Sequence, residues 1–134
     1  MFLNQLENKN KRLFLKVCVL ASLSDGVFAK EEREMITAYC KEMNVPEEVP
    51  DCPETMNDLL EEIAQNTSEK EKKIIVLEIL GLLRSDGIFE DMEKTFVDTL
   101  AEKLDVPYYV FDQINSLLKV YTAVYQELYS TICE

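Results

Sequence analysis

The sequence predicts an all-α protein, a compact bundle of about six to seven helices from two pseudo-symmetric three-helix halves. Three observations lead there. Glycine (3) and proline (4) are scarce among 134 residues, and a sheet protein needs more turns than that composition supplies. Apolar residues recur at helical spacing along most of the chain. A stretch of the first half also returns in the second, 61 positions later.

That repeat is gapless. Ser24-Asp-Gly-Val-Phe28 falls on Ser85-Asp-Gly-Ile-Phe89, Glu32 on Glu93, Val45-Pro46 on Val106-Pro107, Val49 on Val110 and Asp51 on Asp112. Residues 24–51 and 85–112 share nine identities in 28 positions, against roughly two expected by chance at ordinary residue frequencies. Val27/Ile88, Arg33/Lys94, Ile36/Val97 and Met43/Leu104 are conservative pairs. The chain therefore reads as one domain, 1–134, with internal repeats at about 3–65 and 68–131. No Gly- or Ser-rich linker parts the halves, so they share a core.

Each half opens with a buried helix, about 3–23 and about 68–84, that runs into the Ser-Asp-Gly turn. In the second half, Thr67-Ser68 with Glu71 forms a capping box at its start. A second helix follows at about 30–44 and 91–104. Met35, Ile36, Tyr39, Cys40 and Met43 give it one apolar face, and Met92, Phe96, Val97, Leu100 and Leu104 do the same in the later copy. Val-Pro closes both, because the residue before proline leaves helical space. The third helix is short in the first half, about 54–65, after a link carrying Pro46, Pro50 and Pro53. In the second half it is long, about 107–131, and Ile114, Leu117, Leu118, Tyr121, Val124, Tyr125, Leu128 and Ile132 mark it as a contributor of some eight apolar side chains to the shared core.

Charge and cysteine usage narrow the functions. Fourteen basic residues against 26 acidic ones leave a net −12. Nucleic-acid binding works by neutralising phosphates with Lys and Arg, so that partner is excluded, and an anionic membrane surface is repelled likewise. Divalent cations or a basic protein surface fit the balance. The four cysteines (Cys18, Cys40, Cys52, Cys133) lack C-x-x-C spacing, and histidine is absent, which argues against zinc. Cys18 and Cys40 fall within apolar helical patterns and read as small core hydrophobes.

Lys9, Lys11 and Arg12 before an apolar run imitate a secretion signal, but Lys16 interrupts that run, and Lys72–Leu80 repeats the form in mid-chain. Both are core helices too short to span a bilayer. The expected location is the cytoplasm, where thiols stay reduced.

The pattern Asp-Gly-x-Phe-x-x-x-Glu occurs twice, as Asp25, Gly26, Phe28, Glu32 and as Asp86, Gly87, Phe89, Glu93. It matches the second half of an EF-hand loop, where Gly makes the sharp turn and a Glu closes the ligand set. The early ligand positions fall on Ala21 and Leu23, and on Leu82 and Arg84, none of which can ligate Ca²⁺. A standard EF-hand is excluded. Two readings of the turns remain. In one they are structural, with Gly past a helix end, Phe plugging the core and Glu favoured by the next helix's dipole. In the other, Asp25, Glu32, Asp86 and Glu93 hold a divalent cation, and their oxygen-only ligands suit Ca²⁺ or Mg²⁺.

A duplicated helical unit with this acidic turn after a core helix resembles the TerB-like family, named for tellurite-resistance proteins. It is also similar to the helical domain of membrane-anchored J-domain co-chaperones. The resemblance implies a compact bundle without catalytic activity, a stress-response role, and metal binding by the turn acids, here Asp25, Glu32, Asp86 and Glu93. Val27 and Ile88 stand where that family often carries a further acid.

Catalysis has no foothold in the residues, since no His-based nucleophile pair and no Gly-rich phosphate loop can be assembled. Tyr121, Tyr125 and Tyr129 recur at i+4 on the last helix, after Tyr108 and Tyr109. Tyrosine packs its ring while keeping its hydroxyl wet, so the stripe reads either as a core edge or as a partner surface. A metal-independent interaction module, acting through the acidic surface or this stripe, is the alternative function.

Overall fold

The structure, a computed structural model, describes residues 1–23, 30–84 and 91–134, with the side chains of 91–93 outside the description. A 3₁₀ turn, Leu3–Gln5, leads into α1 (Asn8–Ser22), α2 (Lys30–Met43), α3 (Met56–Asn66), α4 (Glu69–Leu83), α5 (Asp91–Lys103) and α6 (Tyr108–Cys133). No strand occurs among the described residues. The all-α expectation holds.

Helix α4 is the axis of the bundle, packed by α1, α2, α5 and α6. Its sequence dictates that place: Ile74, Ile75, Val76, Ile79, Leu80, Leu82 and Leu83 are apolar almost all round, and all are buried. Against it α1 sets Phe14, Val17, Cys18 and Ala21, while α2 sets Ile36, Tyr39 and Met43. Phe14 and Tyr39 meet with ring centroids 5.5 Å apart at a tilt of 59°, an aromatic geometry favoured over face-to-face stacking. Helix α5 adds Phe96, Val97 and Leu100, and α3 adds Leu59, Leu60 and Ile63.

Local signals set the helix ends. Ser68 caps α4 and exchanges hydrogen bonds with Glu71 in the predicted capping box. Thr55 caps α3 by accepting from the Asp58 N–H at 3.2 Å. Helix α2 stops at Asn44, whose φ of 57° is left-handed. The Val45 N–H then reaches back to the Cys40 carbonyl at 3.0 Å, and the Asn44 N–H to Lys41 at 3.1 Å, the Schellman closure. Helix α5 ends identically, with Asp105 at φ 56° and bonds from Val106 to Ala101 at 2.9 Å and from Asp105 to Glu102 at 3.1 Å.

Beyond that shared corner the halves part. Pro107 starts α6 at once, accepting from the N–H groups of both Val110 and Phe111. After Pro46 the chain stays non-helical to Thr55, in keeping with Pro50 and Pro53.

Two expectations need correction. The first helix begins at Asn8 rather than near residue 3, because carboxylates of other helices claim the backbone N–H groups of the leading segment: Phe2 donates to Glu78 at 3.0 Å, Leu3 to Glu42 at 2.8 Å and Glu7 to Glu71 at 2.9 Å. The last helix does not feed eight apolar side chains into the core. Leu118 alone on α6 is buried, with Val110, Phe111 and Ile114 partly so. From Val120 onward the helix has outrun α4, and every residue is exposed.

Candidate functional site

Of the four turn acids, only Glu32 has a described side chain. It lies in the first turn of α2 and is buried at 4% exposure, where a carboxylate gains from the helix dipole. Asp25, Asp86 and the Glu93 side chain fall outside the described residues. Among the described residues, no group of three or more His, Cys, Asp or Glu side chains could hold a metal ion.

Two further carboxylates are buried, of which the sequence pointed to Glu71 only as a capping residue and did not point to Glu78. Glu71 on α4 accepts from Asn10 Nδ2 and from the Glu7 N–H, both at 2.9 Å, besides its bond with the Ser68 N–H at 3.1 Å. Burial pushes its pKa up, but these donors outweigh burial and hold it below the usual carboxylate value. Glu78 interrupts the apolar run of α4, which was the signal available for finding it. Its carboxylate lies 2.6 Å from the Met1 amine and takes the Phe2 N–H, while its backbone carbonyl accepts from the Tyr39 hydroxyl at 3.1 Å. Burial opposes the charge on that amine, yet bonds to Glu78 and Glu42 raise its pKa above the ordinary value. Each carboxylate is occupied by the chain's own donors. They tie the leading segment to α4, as Glu42 ties it to α2, and leave little capacity for a ligand.

The open surface is apolar and belongs to α6. Leu117, Tyr121, Val124, Tyr125, Leu128 and Ile132 are between 51% and 77% exposed. Tyr121 and Tyr125 stack along the helix with centroids 6.4 Å apart. At its root this face forms one wall of a groove of about 850 Å³, whose other walls are Met1 and Phe2 and, from α4, Lys73, Ile74 and Leu77. Of the two readings of the tyrosine stripe, the core edge is ruled out. An exposed apolar surface of this extent is uncommon on a monomeric soluble protein.

Among the described residues, no helix is long and apolar enough to cross a membrane. No family model matches the chain, and no curated protein matches it in sequence. In structure it does have a counterpart: the crystal structure of a tellurite resistance protein from Nostoc punctiforme superposes with a TM-score of 0.72, covering 96% of this chain and 84% of that chain at 18% sequence identity. The chain has the fold of that tellurite resistance protein.

Proposed function

We propose that this chain is a non-catalytic stress-response protein of the tellurite-resistance type, working in the cytoplasm by binding rather than by chemistry. The supporting observation is the likeness to the Nostoc protein, which runs along 96% of the chain. The bound species on this reading is a divalent cation held by Asp25, Glu32, Asp86 and Glu93. All four offer oxygen ligands, which suit Ca²⁺ or Mg²⁺, and Glu32 adds a carboxylate already buried.

Calorimetry with Ca²⁺ and with Mg²⁺ at matched ionic strength tests the cation. At net −12 any divalent salt relieves self-repulsion, so only a saturable heat counts. A true site stabilises the fold by about 2.7 kcal/mol at a hundredfold excess over its Kd. The expected result is a saturable heat that Asp25→Asn with Asp86→Asn abolishes. No saturable heat in the unaltered chain would sink the cation reading.

The bare face of α6 favours a second reading, a metal-independent interaction module. In a tellurite-sensitive bacterial host, this chain should raise the tolerated tellurite concentration. If the face matters, Tyr121→Lys with Leu128→Lys should remove that gain, since both positions are exposed and neither holds the fold. A double variant that protects as well as the original would dismiss the face.

A further inference from the structure

We infer that the bare face of α6 is covered by a second copy of this chain, pairing helix to helix; this rests on the interaction reading and names its partner. Val110, Ile114, Leu117, Tyr121, Val124 and Leu128 follow one another at steps of four, three, four, three and four. That is the a/d spacing by which two helices mesh. The first members of the series are already spent on α4, as Val110 and Ile114 are partly buried. The later ones continue the same face along α6, and each is more than half exposed.

Area and charge select the occupant. Leu117, Tyr121, Val124, Tyr125, Leu128 and Ile132, six of the eight large apolar side chains exposed from Leu117 to Ile132, offer on the order of 700 Å², and the groove walls beside Met1 and Phe2 extend the patch. A stable interface takes about 800 Å² from each partner. Charge decides whether two copies can approach. The chain is 30% charged with net −12, so most of its surfaces repel their own likeness. The α6 helix is the exception: Asp112, Lys119 and Glu127 are the charged residues among its 26. None of the three lies in the a/d series. A membrane surface is the poorer occupant, because a helix that lies on anionic lipid lines its polar face with Lys and Arg, and α6 carries a single Lys119.

Sedimentation equilibrium of the full chain, between about 1 and 100 µM, reads the assembly directly. The expected mass is that of two chains at the upper concentrations. Because the bodies repel and the seam is apolar, added salt should tighten the pair. Tyr121→Lys with Leu128→Lys should give a one-chain mass with the helical circular dichroism unchanged. A one-chain mass for the unaltered protein throughout, dissociation on adding salt, or a double variant that still sediments as two chains would each overturn the pairing. The interaction reading has a separate point of failure, in the tellurite-tolerance comparison, so the two are told apart.

Discussion

Asn10 donates a buried hydrogen bond of 2.9 Å to Glu71, and the two residues are each other's counterparts under the 61-residue shift. The same offset relates Asn8–Ser22 to Glu69–Leu83, helices of 15 residues each, and the left-handed Asn44 to the left-handed Asp105. Two positions related by that shift thus meet where α1 packs on α4. There, an amide at one and a carboxylate at the other let one donate and the other accept.

That contact has a pH signature. A carboxyl held below its unfolded value adds stability above that value, about 4.3, and the contribution disappears as pH falls through the folded pKa. The Glu71 pKa is lowered by its donors. Glu71→Gln should therefore be less stable than the original at neutral pH, and the gap should close in acid below the folded pKa. Asn10→Ala should cost about 1–3 kcal/mol for a carboxylate left short of a donor. Chemical denaturation across pH checks both, and a gap that stays constant into acid would show that the carboxylate charge is irrelevant.

Thiol chemistry should rank by burial. Cys133 is exposed, Cys52 half-buried, and Cys18 and Cys40 lie in the core. Burial also pushes the Cys18 thiol well up, which removes the reactive thiolate. An alkylating reagent should modify Cys133 first and Cys52 next, with Cys18 and Cys40 reacting only in denaturant. Peptide mass mapping over time reads the order. Early labelling of Cys18 would contradict the packing of α1 against α2.

The end of α6 should be dispensable for folding. A chain stopped after Lys119 keeps Leu118, the last buried residue, and should melt cooperatively, losing only stability lent by association. Removal of everything from Tyr108 strips Leu118 and uncovers α4. Each buried aliphatic side chain contributes about 1.5–3 kcal/mol, so a few of them consume much of a domain's margin. Melts of the two truncations at several concentrations should separate tail from core.

Gly81 offers a stabilising substitution. It sits inside α4, and a Cβ there would meet the Tyr39 hydroxyl at 4.0 Å, ordinary contact distance. With no strain to offset it, Gly81→Ala should add about 0.5–1 kcal/mol through helix propensity. A lower melting temperature would reveal a tighter α2–α4 contact than the geometry gives.

Much of the fold was legible because its signals are local. The capping box at Ser68, the apolar faces of α2 and α5 and the Val-Pro corners all lie within a few residues of what they control. The start of α1 was not legible, because Leu3 and Glu7 are held by Glu42 and Glu71 from distant helices. The fate of α6 was hidden for another reason: periodicity names the apolar face of a helix but not where its neighbour ends. Val110 and Val124 carry the same heptad signal, and only α4 running out distinguishes them. In the acidic turns, the burial of Glu32 fits the first-turn position read from the sequence, while Asp25, Asp86 and Glu93 lie beyond what the described side chains address.

The unequal third helices have a consequence for assembly size. In the first half the Pro46–Pro53 link and the short α3 finish inside the body, while in the second α6 runs some 15 residues past its last buried side chain, or about 22 Å. The described residues therefore carry one such projection rather than two, one at each end, from which chains could add without limit. A projecting face matched against its own copy in a twofold arrangement is used up on both chains. In the pairing inferred above, the unequal third helices would thus set a stopping rule: growth ends at two.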